Sequence, residues 1–258
     1  ATGGNLGDTL MTFGGKSKDL PSLAAYWMRV RSQGIVPTTD FAYDLAGDSV
    51  ETGGGGDYIF SGRGNDTLFV GGSLGVDLGK VNRINSGGGR DFITGGDGDD
   101  RVETYVGKDA TVDAIGDVVD LRGGNDTVAL GIGNDFVQLG SGNDYAFIAK
   151  GLDTVVCGDG DDEVQGDADG VGARGDSIVG GLGADRIGLV GTSTASSAVV
   201  TLRLGDGDEH LSVNYRAFID LGPGALQSVD ARKSTGPITV IGSFGADSVL
   251  GSRFADSL

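Results

Sequence analysis

Apolar residues recur every nine positions through much of this chain, and an aspartate stands two positions before each of them. Cut into blocks of nine, the stretch 112–165 contains VDAIGDVVD, LRGGNDTVA, LGIGNDFVQ, LGSGNDYAF, IAKGLDTVV and CGDGDDEVQ. The sixth position of each block is aspartate and the eighth is apolar. A fixed internal period of this kind predicts a repeat architecture in which each repeat packs on its neighbours.

The same frame recurs on both sides of this stretch. Residues 43–69 read YDLAGDSVE, TGGGGDYIF and SGRGNDTLF, and residues 86–112 read SGGGRDFIT, GGDGDDRVE and TYVGKDATV. Further blocks are GGNLGDTLM at 3–11, VGARGDSIV at 171–179, GGLGADRIG at 180–188, GSFGADSVL at 242–250 and the shortened GSRFADSL at 251–258. The sixth-position aspartates are Asp8, Asp48, Asp57, Asp66, Asp91, Asp100, Asp109, Asp117, Asp126, Asp135, Asp144, Asp153, Asp162, Asp176, Asp185, Asp247 and Asp256.

A nonapeptide of this form predicts a three-residue strand followed by a six-residue turn. The strand alternates its side chains between two faces, so the apolar eighth residue points inward. The turn needs positive φ angles, which glycine adopts without steric cost. Two nonapeptides then make one coil of 18 residues with a narrow core, one residue deep per strand. The aspartates predicted to stack are Asp117 with Asp135, Asp126 with Asp144, Asp135 with Asp153, and Asp144 with Asp162.

One stretch near the N-terminus has a helical pattern instead. In residues 17–33, Asp19 is suited to an N-cap and Pro21 to the first turn, and Gly34 follows the stretch. An apolar stripe at helical spacing comprises Leu20, Leu23, Ala24, Trp27 and Met28. The pattern predicts a short helix, packed on the flank of the solenoid or over its end. A contact with a neighbouring molecule is the alternative.

Residues 189–241 lose the aspartates but keep the strand rhythm. The apolar positions are Leu202 with Leu204, Leu211 with Val213, Ile219 with Leu221, Val229, and Ile238 with Val240. These residues predict further coils with metal-poor turns, and Glu209 stands where aspartate is expected. The chain is therefore predicted to be a single solenoid over 1–258: an N-terminal repeat with a helical insertion (1–42), strong repeats (43–188), degenerate coils (189–241) and C-terminal repeats (242–258).

Charge identifies the partner that such a solenoid needs. The chain has 37 acidic and 19 basic side chains, for a net charge of −18, and 51 of its 258 residues are glycine. Nucleic acid is an unsuitable partner, because phosphate binding needs clustered Lys and Arg. Stacked carboxylates about 4.8 Å apart would repel one another unless cations neutralised them. Ca²⁺ takes hard oxygen ligands, which aspartates and turn carbonyls supply, so we predict multiple calcium sites.

The repeat resembles the RTX (repeats-in-toxin) calcium-binding family, whose nonapeptide is G-G-x-G-x-D-x-U-x. GGDGDDRVE at 95–103 and GGLGADRIG at 180–188 match it at every position. The resemblance implies an all-β parallel β-roll or β-helix solenoid, folding that depends on calcium, and secretion to a calcium-rich exterior. The expected location is therefore extracellular, at the cell surface.

The motifs that suggest catalysis lack partners in the sequence. Gly71-Gly72-Ser73-Leu74-Gly75 fits the G-x-S-x-G elbow, but the chain has one histidine, His210, beside the inward position of a degenerate repeat. H-E-x-x-H is absent, so the metalloprotease signature is missing. The single cysteine, Cys157, precludes an intrachain disulfide, and no apolar run reaches the 18 residues of a membrane span. We therefore predict that the chain is not an enzyme.

The sequence thus predicts a secreted calcium-binding structural protein of a bacterial surface layer, filament or matrix. Self-association head to tail is expected, because the segments at both ends are repeat-like and carry no polar cap. One alternative is a calcium-dependent module of a larger secreted enzyme or toxin. The other is a carbohydrate-binding or carbohydrate-active solenoid, with a groove at Tyr105, Tyr215 and Arg216 and a cell-surface polysaccharide as partner.

Overall fold

Two parallel β-sheets face each other across a narrow core, and the chain passes alternately from one to the other. The computed structural model describes residues 9–11 (backbone only), 47, 49–51, 56–61, 64–70, 80–105, 115–166, 175–189, 199–223, 227–242 and 246–258. Within these residues one sheet has 11 strands and the other has 10, and all pairings are parallel. The predicted all-β parallel solenoid is confirmed, whereas the predicted helix at 17–33 lies outside the described residues.

We call the two layers the odd sheet and the even sheet, after their strands in chain order. The odd sheet contains β1 Thr9–Met11, β3 Tyr58–Phe60, β5 Arg83–Asn85, β7 Arg101–Glu103, β9 Thr127–Ala129, β11 Tyr145–Ile148, β13 Glu163–Gly166, β15 Arg186–Leu189, β17 His210–Val213, β19 Ser228–Asp230 and β21 Ser248–Leu250. The even sheet contains β2 Ser49–Glu51, β4 Thr67–Phe69, β6 Phe92–Thr94, β8 Val118–Asp120, β10 Phe136–Ser141, β12 Thr154–Asp159, β14 Ser177–Leu182, β16 Val199–Arg203, β18 Arg216–Asp220 and β20 Ile238–Ile241.

The register follows the nonapeptide period in the central coils. Val137 pairs with Val155, and Ala146 pairs with Val164, each 18 residues further along the chain. Most strands have three or four residues, close to the prediction, but β10, β12 and β14 extend to six. Their extra residues pair within the turns, where the N–H of Ser141 donates to the carbonyl of Arg122 at 2.9 Å. The hydrogen bonds between successive coils therefore continue from the strands into the turns.

The core is wider than the predicted single residue per strand. The eighth position of each repeat is buried, as expected, and so is the first position of the next repeat. Examples of this second set are Leu121, Leu130, Leu139, Ile148 and Cys157, all at most 2 % exposed. The alternation of the strand explains the difference, because positions eight and ten point to the same face. From Val119 to Cys157, each nonapeptide thus contributes two inward side chains.

Coil length varies while the pairing is kept. Successive aspartates are 18 residues apart in the central coils, 23 from Asp153 to Asp176 and 26 from Asp91 to Asp117. In the degenerate segment 189–241, the predicted inward residues from Leu202 to Val240 are indeed buried, which confirms the strand rhythm there. The part of the chain that the structure describes has no helix able to cross a membrane.

Candidate metal centres

Stacking of the coils brings the sixth-position residues into two columns, one at the start of each sheet's strands. The even column, before the even-sheet strands, consists of Asp66, Asp91, Asp117, Asp135, Asp153 and Asp176. The odd column consists of Asp57, Asn82, Asp100, Asp126, Asp144, Asp162 and Asp185. In both columns the backbone N–H of each residue donates to Oδ1 of the residue one coil later, at 2.6–3.3 Å. The four predicted stacking pairs are confirmed.

The second carboxylate oxygen is buried in four aspartates of the odd column. All members of both columns are at most 3 % exposed. Within the described residues, Oδ2 of Asp126, Asp144, Asp162 and Asp185 has no hydrogen-bond partner. A buried charged oxygen without a partner is costly in free energy, unless a metal or a proton satisfies it. The structure thus presents a row of hard oxygen atoms that either a metal cation or a proton must satisfy.

The electrostatics of the columns lead to the same conclusion. Burial, reinforced by the carboxylates of neighbouring coils, raises the pKa of Asp117 and of Asp126 to about 9. Burial likewise raises the pKa of Asp162 to about 7, and those of Asp144 and Asp185 to about 6. The rise shows that negative charge is unfavourable at these positions when only protein surrounds it. A divalent cation beside the carboxylates would reverse this balance.

Glycines let the turns stack closely enough for their carbonyls to contribute ligands. Gly142 and Gly160 have φ values of 129° and 137°, in the left-handed region. A Cβ on Gly160 would overlap the carbonyl oxygen of Gly142 one coil earlier. No three His, Cys, Asp or Glu side chains converge on one point anywhere in the described ranges. A cation here would therefore take one carboxylate per turn and complete its shell from backbone carbonyls, a donor set that suits Ca²⁺.

A second ladder, which the sequence analysis missed, supports the turns from the fifth repeat position. Oδ1 of Asn125 accepts the N–H of Asn143 at 2.8 Å, and Oδ1 of Asn143 accepts the N–H of Asp161 at 3.0 Å. Oδ1 of Asp161 in turn accepts the N–H of Ala184 at 2.8 Å. These bonds run from each oxygen to the following coil, whereas those of the columns run to the preceding coil. The signal in the sequence is the Asn or Asp that often precedes the sixth-position aspartate.

The two columns change their character toward the C-terminus. The pairing places Val200, Ala217 and Ile238 after Asp176 in the even column, and all three are buried in the core. The odd column continues with Glu209 and Gln227, and the carbonyls of Asp185, Glu209 and Gln227 accept the strand N–H groups of the following coils. Burial raises the pKa of Glu209. The even side of these coils is thus apolar where the odd side remains polar.

The outermost predicted residues differ from the central ones. Asp256 is half-buried, and its Oδ1 accepts the N–H of Ile238 at 3.0 Å, which repeats the bond of the even column. Asp247 is also half-buried, at the end of the odd column. Asp8, Asp48 and Asp109 lie outside the described residues. Around Asp109, the columns pass directly from Asp91 to Asp117 and from Asp100 to Asp126.

The predicted carbohydrate groove does not form from the three residues proposed for it. Tyr215 is only 4 % exposed and belongs to the hydrophobic core, while Tyr105 is exposed at the end of β7. Tyr215 directly precedes β18 and is part of the same buried cluster as Val200 and Ala217, which hold the even-column positions of these coils. Its ring is therefore unavailable to a ligand. The outer face of the odd sheet, described below, carries a different aromatic cluster.

Comparison with known proteins agrees with the geometry of the turns. The sequence profile of the RTX calcium-binding nonapeptide repeat matches the chain in four copies, over residues 45–73, 79–109, 116–147 and 171–187. These ranges contain the turns of both aspartate columns except those of Asp153 and Asp162. No curated protein and no solved structure matches the chain. The chain is a parallel β-solenoid that contains four matches to the RTX calcium-binding nonapeptide repeat, and RTX repeats bind multiple Ca²⁺ ions.

Proposed function

We propose that this chain is a secreted structural protein, rigidified by Ca²⁺, of a bacterial cell-surface layer, filament or matrix. The observation that carries the proposal is the extent of the two columns. From Asp57 to Asp185 they link successive coils along the solenoid without interruption. A calcium row of this length stiffens the molecule along its axis, which is a mechanical property that a scaffold uses. RTX repeat proteins are typically secreted.

We further propose that the column aspartates are the calcium ligands. Each Ca²⁺ would sit between the turns of successive coils and take Oδ2 of the aspartate, together with turn carbonyls from both coils. Oδ1 is already engaged by a backbone N–H, so only one oxygen of each carboxylate turns to the metal. Asp247, Asp256 and the three aspartates outside the described residues complete the proposed set. Glu209 provides a longer carboxylate in the same column.

The placement of the two residues best suited to nucleophilic or acid–base chemistry favours a structural role. Cys157 is fully buried in the core, and burial raises the pKa of its thiol well above the ordinary value. His210 is exposed on the outer face of the odd sheet. A nucleophile and its base need to lie within hydrogen-bond reach of each other. These two side chains point to opposite faces, one into the core and one to solvent.

Electron microscopy of the purified protein, with and without millimolar Ca²⁺, tests the scaffold proposal. We expect extended filaments or sheets with calcium and their dissolution in EGTA. In the native cells, the protein should be in the surface fraction and be released by EGTA. A folded monomer that stays dispersed in calcium at high protein concentration would contradict assembly. That result would favour the alternative, a calcium-dependent module of a larger secreted enzyme or toxin.

A further inference from the structure

The outer face of the odd sheet carries a concave cluster of aromatic and charged side chains across β3, β5 and β7. The parallel register aligns Tyr58 with Arg83 and Arg83 with Arg101. The neighbouring outward row, two residues further along each strand, aligns Phe60 with Asn85 and Asn85 with Glu103. These six outward side chains line a shallow depression in the sheet surface. We call this cluster the odd-face site.

Two aromatic rings form one side of the odd-face site. The ring centroids of Tyr58 and Phe60 are 4.9 Å apart, and their planes are inclined by 53°. Tyr58 is 38 % exposed and Phe60 is half-buried. The rings thus present an apolar surface to solvent, although neither residue is needed to fill the core. Exposed aromatic surface beside polar groups is typical of ligand sites.

Two arginines form the other side, and their arrangement is unfavourable for the protein alone. Arg83 and Arg101 occupy directly paired positions on neighbouring strands, where like charges destabilise a sheet. Arg101 is partly compensated by Glu103, at 3.1 Å between Nη2 and Oε1. Within the described residues the guanidinium of Arg83 has no ion pair and no side-chain hydrogen bond. The six side chains sum to a charge of +1, in a chain whose net charge is −18.

We propose that the odd-face site binds a carboxylated sugar of an acidic polysaccharide. A pyranose ring has a face of C–H groups that packs on aromatic rings, which are electron-rich on their faces. Its carboxylate would pair with the planar guanidinium of Arg83, which binds carboxylates through two parallel hydrogen bonds. Asn85 and Glu103 would receive the hydroxyl groups. The site recognises an anion and a flat apolar surface together, a combination that a uronic acid provides.

The same face offers a path for a longer polymer. Tyr145 and Phe147 project from β11 in the two outward rows that contain Tyr58 and Phe60, and Phe147 is 43 % exposed. β11 is four strands from β3 in the odd sheet, so a distance of about 19 Å separates the two aromatic pairs. An extended oligosaccharide can span this distance along the solenoid axis. The column residues directly precede the first outward row in sequence, but their side chains are buried on the opposite side of each strand.

Isothermal titration of the calcium-loaded full chain with a hyaluronan hexasaccharide tests the proposal. This probe alternates glucuronate with a neutral amino sugar. We expect binding that falls about tenfold in Arg83→Gln, which corresponds to about 1.4 kcal/mol. Tyr58→Ala should weaken binding as well. Arg203→Gln is the matched control, because Arg203 is exposed on the outer face of the even sheet, at the end of β16, and does not lie on the proposed sugar path. Circular dichroism confirms that each variant folds in calcium.

Three results would overturn the inference. Equal binding of chitohexaose, which is similar in size but has no carboxylate, would remove the role of the anion. Equal binding of polyglutamate, unaffected by Tyr58→Ala, would reduce the site to a general patch for polyanions. An equal loss in Arg83→Gln and Arg203→Gln would show that only overall charge matters. None of these tests involves filament formation, so they are independent of the proposed scaffold function.

Discussion

The backbone N–H of Asp126 donates to Oδ1 of Asp144 at 2.7 Å, so each aspartate of the odd column fixes its neighbour one coil away. Asp144 repeats the bond toward Asp162 at 2.8 Å. Oδ2 of Asp144 remains buried, with no hydrogen-bond partner among the described residues. One oxygen of the carboxylate thus organises the turn, and the other is left for a cation. The two functions can be separated by mutation.

Asp144→Asn should retain the turn but lose the metal ligand. The amide oxygen can still accept the N–H of Asp126, as Asn82 accepts that of Asp57 at 2.8 Å. We expect the calcium-loaded protein to lose about 2–3 kcal/mol of stability, as for a lost interaction with a charged group. The calcium midpoint of folding should rise. Calcium titrations followed by circular dichroism, and thermal melts at saturating calcium, measure both effects.

Asp230→Asn is the control for this experiment, because Asp230 is an acidic residue on the outer face that pairs with exposed Arg232 at 2.7 Å. Surface ion pairs contribute little to stability. Its calcium midpoint should therefore match that of the unmodified chain. Equal midpoints for Asp144→Asn and the unmodified chain would contradict the assignment of Asp144 as a ligand.

Asn82→Asp should make folding depend more strongly on calcium. The amide Nδ2 of Asn82 donates to Oδ1 of Asp100 at 2.7 Å, and a carboxylate there would replace this bond by repulsion. In EGTA the variant should be less stable than the unmodified chain. At saturating calcium it should recover, because the odd column gains a ligand. Thermal melts in EGTA and at saturating calcium test these two opposite effects on stability. A loss of stability under both conditions would refute the prediction.

Acid should partly replace calcium in holding the fold together. The pKa of Asp117 and Asp126 is about 9 in the folded chain, against an ordinary value of 3.8. The folded state therefore binds more protons than the unfolded state between these values, and the metal-free fold loses stability as the pH rises through this range. In EGTA, we expect β structure to increase from pH 8 to about pH 4.5.

Calcium binding should show the opposite pH dependence, because protons compete with Ca²⁺ for the same carboxylates. The apparent calcium affinity should begin to fall below about pH 9, where Asp117 and Asp126 take up protons. It should fall further through about 6–7, where Asp144, Asp162 and Asp185 follow. Circular dichroism at a series of pH values, with calcium and with EGTA, follows both effects. A metal-free spectrum that does not change with pH would disagree with buried, protonatable columns.

Gly160→Ala should be strongly destabilising, and Gly188→Ala should not. Gly160 has a φ of 137°, and a Cβ there would overlap the carbonyl oxygen of Gly142. We expect a loss of about 2 kcal/mol or more, from strain and from the displaced turn. A Cβ on Gly188 meets only Cγ of Gln165 at 4.0 Å, so this control should be neutral or slightly stabilising. Similar melting temperatures for the two variants would contradict close stacking of the turns.

Removal of calcium should loosen the central coils before the C-terminal ones. Asp117, Asp135 and Asp153 place carboxylates in the central part of the even column, whereas apolar Val200 and Ala217 hold the equivalent positions further on. The apolar residues need no cation. In EGTA, amides of β16 and β18 should therefore keep more protection from hydrogen exchange than those of β8 and β10. Uniform loss of protection along the chain would count against this difference.

The nonapeptide period was sufficient to predict the coil, the inward eighth residue and the stacking of the central aspartates. These features repeat the geometry of one nonapeptide at a fixed spacing, so they can be predicted from the sequence period alone. The second inward residue, such as Leu139, could also have been read from strand alternation. The fifth-position ladder of Asn125 and Asn143 was visible as a frequent residue type, but its bonds join different coils.

Other features could not be read from the period. Asn82 lies in the odd column because the coil from Asp57 to Asn82 is 25 residues long. The sequence does not show at which positions of this coil the extra residues are inserted. The sequence predicts that Tyr215 lines a surface groove, whereas its side chain packs in the hydrophobic core. The odd-face site joins residues from three coils, and only the register shows that Arg83 and Arg101 are neighbours.

Coils of unequal length are joined by the same hydrogen bond, so the number of coils in this protein can change in evolution. The even column bridges 18 residues from Asp117 to Asp135 and 26 from Asp91 to Asp117 with the same hydrogen bond. Each coil therefore recognises its neighbour without reference to the rest of the molecule. Duplication or deletion of one coil in the gene would lengthen or shorten the rod by about 4.8 Å and create no new kind of contact. The length of the molecule is thus a heritable variable that can change in single steps.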